Sequence, residues 1–154
     1  MKEKIDKIRK EAIKTLPSIL NIICSNIDIN SIIWFKFRIK SIESYIKRMR
    51  RLNLELNEVD DLIGFCIVAE TEEKCYKLLN QIKNINEITI LNVKDYIKSP
   101  CGINLYQAIH VKYKYKRFFG EIQIKTEEMS DMAESTYNLY KENSGKNIKK
   151  AIEH

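Results

Sequence analysis

The chain has 154 residues, of which 44% are hydrophobic and 31% are charged, and its formal net charge is +6. This length and balance predict a soluble compact domain with its own core, and no apolar run is long enough to span a membrane. The positive excess favours anionic partners such as nucleotide phosphates or RNA.

The four cysteines, Cys24, Cys66, Cys75 and Cys101, show no C-x-x-C spacing, and the chain has only two histidines. This pattern is not that of a zinc site, and it is typical of reduced thiols. The charged N-terminal segment lacks the apolar centre of a signal peptide. We therefore expect a cytoplasmic protein that does not associate with membranes.

The predicted elements follow in the order ααβααβαβββα, which indicates an α+β domain with helices against a mixed sheet of about five strands. Helices are predicted at 3–26 with a break or kink at Pro17, and at 42–52, 56–63, 72–84 and 127–143, the last ended by Gly145. Strands are predicted at 31–40, 64–69, 87–93, 105–115 and 121–126. We expect a single domain over 1–154, with N-terminal helices at 1–30, a catalytic core at 31–143 and a basic tail at 144–154.

Alternation in the strands separates apolar from polar faces. In the first strand Ile33, Phe35, Phe37 and Ile39 form the predicted apolar face. The segment GEIQIKT (120–126) places Ile122 and Ile124 on one face, and Glu121, Gln123 and Lys125 on the other. Such polar residues face either solvent or a site.

Carboxylates are the first candidate site residues. Asp60 and Asp61 precede a buried strand, and Glu121 lies on another. Together they could hold Mg²⁺, which prefers oxygen ligands and shares them with substrate phosphates. The alternative for the aspartates is a solvated helix end.

Alternation also places Tyr106, His110 and Lys112 on one face of the fourth strand, opposite Glu121 and Gln123 of the fifth. An aromatic ring, an imidazole, a carboxylate and an amide suit a nucleobase and its sugar. A structural histidine is an equally good interpretation of His110 alone.

A basic segment, RIKSIESYIKRMRR, joins the first strand to the helix that Ser41 caps. Cationic side chains beside a helix N-terminus suit a polyphosphate. The alternative is a solvated basic face, and we keep it for Lys47, Arg50 and Arg51.

These segments together resemble the synthetase domain of the RelA/SpoT family over residues 32–141, and most of all its small alarmone synthetases. RIKSIES with Arg48 is similar to the family pattern R-x-K-x-x-x-S-x-x-x-K, and DLIGFCI to D-x-x-G-x-R-[IV]. DYIKSP with NLYQAIH is similar to D-Y-I-x-x-P-K-x-N-G-Y-x-S-x-H, and EIQIKT to E-[IV]-Q-I-R-T. The order and spacing of the four segments make the resemblance specific.

The resemblance implies a nucleotidyltransferase-like fold and transfer of the β,γ-pyrophosphate of ATP to the 3′-hydroxyl of GDP or GTP. It implies that Asp61 and Glu121 bind Mg²⁺, and that Glu121 also activates the 3′-hydroxyl. The implied ATP-phosphate ligands are Arg38, Lys40, Ser44 and Arg48. The implied acceptor ligands are Tyr106, which stacks on the base, with Asn104, His110 and Gln123.

Several positions depart from the family pattern. Cys66 replaces an arginine that stacks on the donor adenine, and this removes a positive charge. The loop from Pro100 to Tyr106 is one residue longer, lacks the family lysine, and has Leu105 in place of glycine. The residues implied for phosphate and metal binding are therefore retained, whereas recognition of the adenine and of the acceptor is altered.

Alternatives therefore stay open. Some relatives with altered acceptor sites are toxins that modify tRNA 3′-ends or adenosine nucleotides, and a degenerate nucleotide-binding domain without turnover is a third interpretation. A homo-oligomer and, for a toxin, an antitoxin partner are also left open. Alarmone hydrolysis is not expected, because in the family it belongs to a separate His-Asp metal domain.

Overall fold

The computed structural model describes residues 1–135. Its helices are α1 (Lys2–Asn26), α2 (Ile42–Leu52), α3 (Glu72–Lys83) and a helix at 127–135, here α4. Its strands are β1 (Ile32–Ile39), β2 (Ile63–Ala69), β3 (Thr89–Asp95), β4 (Ile109–Tyr115) and β5 (Phe118–Thr126). The predicted remainder of α4, its end at Gly145 and the basic tail 144–154 lie outside the described residues.

The strands form one sheet in the order β1-β2-β5-β4-β3. Only β2 and β5 pair in parallel, and the other neighbours are antiparallel. Helices α1 and α3 cover one face, where apolar side chains alternate inward along each strand. The predicted α+β class with a five-stranded mixed sheet is confirmed.

Helix α1 is one continuous helix, so the predicted break at Pro17 is wrong. Proline removes a helical hydrogen bond, but the apolar stripe continues on both sides of it. Leu16, Ile19 and Ile23 are all buried. Tertiary packing of this stripe holds the helix together across the proline.

The helix predicted at 56–63 is also wrong, because residues 53–62 form turns. Asn53 ends α2 in the left-handed conformation, with φ of 51°. Farther on, the Glu58 side chain accepts a hydrogen bond of 2.6 Å from the Glu55 backbone N–H. Local side-chain bonds thus compete with the helix, and Asp60 and Asp61 lie in a turn just before β2.

The fourth strand is shorter than predicted, because it begins at Ile109 rather than at residue 105. Cys101 and Tyr106 exchange backbone hydrogen bonds of 2.9 and 3.0 Å across a tight turn. Leu105 in this turn has φ of 52°, which an extended strand does not allow. Tyr106 is therefore held by its own small turn.

The predicted apolar face of the first strand is only partly buried. Ile33 and Phe37 are 41% and 51% exposed, because β1 is an edge strand that the helices cover incompletely. No helix within residues 1–135 is both long and apolar enough to cross a membrane.

Gly120 lies in β5 between β2 and β4, where both neighbouring strands leave no room for a side chain. It is in register with Ile63 on one side and Tyr113 on the other. A Cβ atom at Gly120 would be 2.3 Å from the Ile63 carbonyl oxygen and 2.4 Å from the Tyr113 hydroxyl. Only glycine fits this position without a shift of backbone.

Candidate active site

Polar residues cross the uncovered face of the sheet in two rows set by the strand register. The first row is Arg38, Gly64, Glu121, Lys112 and Asn92. The second row is Lys36, Cys66, Gln123, His110 and Lys94. Because side chains alternate along each strand, these positions share the open face.

Gly64 gives Arg38 its position. A Cβ atom at Gly64 would be 3.3 Å from Cγ of Arg38, so the arginine side chain crosses β2 closely at this point. Both residues line one cleft with Glu121, the next member of the first row. The missing side chain therefore leaves room for the guanidinium stem beside the carboxylate.

Asp61 lies in the turn before β2, between the side chains of Lys40 and Arg48. Its Oδ2 accepts a hydrogen bond of 2.9 Å from Lys40 Nζ, and its Oδ1 is 3.4 Å from Arg48 Nε. The Lys40 side chain is only 9% exposed. A charge this poorly hydrated needs its ionic partner, so Lys40 and Asp61 fix one another.

Lys112 connects two carboxylates that lie far apart in sequence. Its Nζ is 2.9 Å from Glu121 Oε2 and 3.4 Å from Asp60 Oδ2. Arg48 Nη2 binds the other oxygen of Asp60 at 2.8 Å. Three carboxylates and three cations thus form one continuous ionic cluster on the open face: Asp60, Asp61, Glu121, Lys40, Arg48 and Lys112.

Glu121 is held in its ionised form. Burial raises the pKa of this carboxyl group, but hydrogen bonds from Lys112 and Gln123 outweigh burial and keep the pKa below its ordinary value. The Gln123 amide donates to Oε1 at 3.1 Å. Gln123 therefore orients Glu121 as well as facing the cleft.

One carboxylate oxygen of this cluster has the properties expected of a magnesium ligand. Oδ1 of Asp61 is buried and accepts no hydrogen bond from the described residues, since Arg48 Nε lies 3.4 Å away without hydrogen-bond geometry, so this oxygen still has a lone pair to offer a metal ion. Within residues 1–135 no three His, Cys, Asp or Glu side chains are grouped to enclose a metal. Mg²⁺ does not require such a group, because it commonly takes one or two carboxylates plus phosphates and water.

Aromatic rings surround the predicted acceptor residues. Tyr106 Oη and His110 Nε2 are 2.8 Å apart, and Tyr96 contacts both rings edge to face. Burial lowers the pKa of His110 more than the Glu121 charge raises it. His110 is therefore neutral near pH 7 and can share one proton with Tyr106.

Two adjoining clefts open on this face. The first, of about 300 Å³, is lined by Trp34, Lys36, Phe37, Arg38, Asp61, Gly64, Phe65, Cys66, Glu121, Gln123, Lys125 and Ser130. The second, of about 670 Å³, lies between the turn at 104–107 and α4. Gln123, Lys36 and Lys125 line both, so the clefts meet along β1 and β5.

The structure brings most of the predicted site residues together. Asp61 and Glu121 line the first cleft with Arg38, and Asn104, Tyr106 and Gln123 line the second. His110 and Arg48 lie beside Asp61 and Glu121 in a third depression on the same face.

Two predicted phosphate ligands, Lys40 and Ser44, do not line these clefts. Lys40 is nearly buried in its pair with Asp61. Ser44 is exposed and gives its backbone N–H to the Ser41 cap, and it is not among the residues that line these clefts.

The sequence interpretation did not assign roles to Lys36, Lys112 and Lys125, and it considered Asp60 only as a possible Mg²⁺ ligand beside Asp61. The cleft contains Lys36 and Lys125 on either side of Cys66, and they supply positive charge that Cys66 does not. Alternation predicted that Lys112 shares the face of His110 and that Lys125 shares the face of Glu121, and the same rule applied to β1 puts Lys36 on the face of Arg38. Their pairing with particular carboxylates depends on strand order, which alternation does not reveal.

The family profile described as "Region found in RelA / SpoT proteins" matches residues 37–145. A guanosine-3′,5′-bis(diphosphate) 3′-pyrophosphohydrolase of Aquifex aeolicus is 35% identical over 116 residues, which cover 73% of this chain. This chain spans only 16% of that relative's length.

Solved structures agree with this match. Small alarmone synthetase 2 from Bacillus subtilis superposes with a TM-score of 0.74 at 26% identity, over 94% of this chain and 82% of the other. Small alarmone synthetase 1 from Bacillus subtilis, bound to its product pppGpp, has the same fold, with a TM-score of 0.67 at 21% identity over 91% and 77% of the two chains. The chain belongs to the RelA/SpoT family.

Proposed function

We propose that this protein is a nucleotide pyrophosphokinase, which transfers the β,γ-pyrophosphate of ATP to the 3′-hydroxyl of GDP or GTP and makes (p)ppGpp. The observation that carries the proposal is the position of Asp61 and Glu121, which line one cleft with Arg38 and a neighbouring depression with Arg48 and His110. Membership of the RelA/SpoT family and the likeness to an alarmone synthetase at 26% identity support it.

On the donor side, Arg38, Lys40, Ser44 and Arg48 are the proposed ligands of the ATP phosphates. Arg38 already lines the cleft, whereas Lys40 and Arg48 are paired with carboxylates. A polyphosphate that reaches the cluster would compete with Asp60 and Asp61 for these cations. Lys112 would remain beside Asp60, and a bound Mg²⁺ would balance Asp61. We assign this exchange mainly to Arg48, because Lys40 is buried.

Asp61 and Glu121 are the residues that would hold Mg²⁺, with the buried Oδ1 of Asp61 as one ligand atom. When bound, the ion neutralises charge on the transferred phosphate oxygens. Glu121 also accepts the proton of the attacking 3′-hydroxyl. Its low pKa means that it is ionised and ready to accept, and the lysine contact that lowers the pKa must weaken for it to become a stronger base.

On the acceptor side, Tyr106 would stack on the base, while Asn104 and Gln123 offer hydrogen bonds along the second cleft. The hydrogen bond to His110 holds the Tyr106 hydroxyl, and the Cys101–Tyr106 turn holds its backbone. A ring held at both ends binds a base at a smaller entropic cost than a mobile one.

A second acceptor class is favoured by one observation. In the turn at 102–105, Ile103 is fully exposed and Leu105 is 67% exposed, and Leu105 lines the second cleft. Exposed apolar side chains beside a nucleotide cleft suit a larger acceptor, such as a tRNA 3′-end, better than a free mononucleotide. With a tRNA acceptor, the same donor chemistry would produce a toxin.

The test is incubation with γ-labelled ATP and Mg²⁺ in separate reactions with GDP, GTP, ATP and bulk tRNA. We expect label on a guanosine nucleotide and release of AMP in equal amount. Label on tRNA or on an adenosine nucleotide instead supports the second acceptor class. If no acceptor is labelled and Glu121→Gln behaves like the wild type in every reaction, the proposal is wrong.

The organisation of the chain follows from the same proposal. We propose that residues 31–143 form the catalytic core, since the family match spans 37–145. We place the enzyme in the cytoplasm, where ATP and guanosine nucleotides are available.

A further inference from the structure

Trp34 is the only tryptophan of the chain, and it lies in β1 on the open face of the sheet. It is in register with Val68 of β2, which is in turn in register with Lys125 of β5. This places Trp34 beyond the second polar row, on the side away from Asp61. The first cleft contains Trp34 and the two carboxylates Asp61 and Glu121 among its lining residues.

The floor of the cleft beside Trp34 is made by a small side chain. Cys66 lies between Lys36 and Gln123 in the second row, and its thiol leaves the space above β2 open. Lys36 Nζ lies 5.2 Å from the centroid of the Trp34 ring. Both residues line the first cleft, so this cation–π contact lies at the wall of the cleft.

The length of the cleft matches a nucleotide. Trp34 and Arg38 are four residues apart on one strand, which corresponds to roughly 13 Å. That distance is comparable with the span from the base to the terminal phosphate of an extended nucleoside triphosphate. A ligand with its phosphates at Arg38 and Asp61 would therefore bring its base to the indole.

We propose that the indole of Trp34 is the stacking platform for the purine base of the pyrophosphate donor, above Cys66. This assignment rests on the proposed function and adds a residue that positions the donor. Lys36 is exposed on a flexible stem, and its contact with the ring is weaker than base stacking, so an incoming base can displace it. The displaced ammonium remains within the cleft, close to the donor.

Because Trp34 is unique in the chain, its intrinsic fluorescence reports on this contact alone. We expect ATP with Mg²⁺ to quench the emission and to protect it from acrylamide. Inorganic tripolyphosphate with Mg²⁺, which has the phosphates but no base, should leave the emission unchanged, and so should GDP in the absence of ATP. Equal quenching by tripolyphosphate, or quenching by GDP alone, would overturn the assignment.

Calorimetry on variants supplies the second test. Trp34→Ala should raise the Kd for ATP about tenfold, in the range expected for loss of one base–aromatic stack, and leave the Kd for tripolyphosphate unchanged. Trp34→Phe should retain most of the affinity. Ile33→Ala is the matched control, because Ile33 is the exposed neighbour of Trp34 and does not line the first cleft. Equal ATP affinity of Trp34→Ala and the wild type would refute the role.

The two proposals fail separately. If the wild type releases AMP with a guanosine acceptor but ATP leaves the fluorescence unchanged, the Trp34 assignment is wrong and the enzyme activity stands. If ATP quenches Trp34 but no acceptor is ever labelled, the donor-base assignment stands and the pyrophosphokinase proposal is wrong.

Discussion

The two faces of the sheet are built from alternate residues of the same strands, yet different forces hold them. On the covered face Ile67, Ile109, Val111, Ile122 and Ile124 are all fully buried against α1, α3 and one another. On the open face, carboxylates and cations pair with each other; the more exposed pairs add little net stability, and the nearly buried pair of Lys40 with Asp61 offsets its own desolvation. The covered face therefore supplies most of the stability, and the open face holds the proposed catalytic residues, so mutations on the two faces should have different effects.

The largest effect should come from Glu121→Gln on the open face. The variant keeps the shape but loses a charge, a proposed metal ligand and a proposed base, so we expect AMP release to fall by at least about 10²-fold. The free energy of unfolding should change little. Rates from labelled ATP and urea unfolding check both statements, and near-normal turnover would show that Glu121 is not the catalytic carboxylate.

The matched change on the covered face is Ile122→Ala, one residue away. A buried isoleucine replaced by alanine should lower the free energy of unfolding by about 2–5 kcal/mol. Turnover per folded molecule should stay within a few-fold of the wild type, because the side chain points away from the clefts. Urea unfolding and active-site titration measure the two quantities; a small loss of stability with a large loss of turnover would contradict the separation.

An intermediate effect is expected at Tyr106. Tyr106→Ala removes the proposed stacking platform, which should weaken acceptor binding by about 1–3 kcal/mol and leave ATP affinity unaltered. Tyr106→Phe is the control, since it keeps the ring and loses only the hydrogen bond to His110. Calorimetry with GDP and with a tRNA 3′-end mimic would test this. An equal loss for donor and acceptor would mean that the ring supports the whole face.

The smallest effect concerns Asp28, which lies outside both clefts. Its carboxylate binds Lys77 Nζ at 2.7 Å and Ser31 Oγ at 2.9 Å, and these bonds hold its pKa below the ordinary 3.8. A lowered folded-state pKa gives stability that is present above pH 3.8 and is lost as the pH falls through the lowered value.

Asp28→Asn should therefore lower the melting temperature slightly at neutral pH, and the difference from wild type should vanish in strong acid. AMP release should be unchanged. A difference that persists or grows in acid would have the wrong sign for this carboxylate.

Residue alternation predicted both faces of β5, and the chain-order pattern predicted the α+β class. The predictions from sequence were wrong where tertiary packing or a local turn overrode the residue pattern. Pro17 does not break α1 because buried residues on both sides hold it, and residues 105–108 leave the predicted strand because Leu105 adopts a turn conformation. The Lys112 pairing with Asp60 and Glu121 could not be predicted, because it depends on β5 lying between β2 and β4, an order that the sequence does not state.

Gly120 has a consequence for the choice of metal. The residue after it is Glu121, and its own backbone lies against Ile63, two positions beyond Asp61. The gap between the two proposed ligands is therefore limited by a backbone contact beneath them, not by their own rotamers alone. Any side chain at 120 would push β5 from β2 and widen the ligand spacing, so Gly120→Ala should shift ion preference from Mg²⁺ toward larger ions such as Ca²⁺. Gly120, although buried, would thus influence the size of the ion that the carboxylates of Asp61 and Glu121 bind.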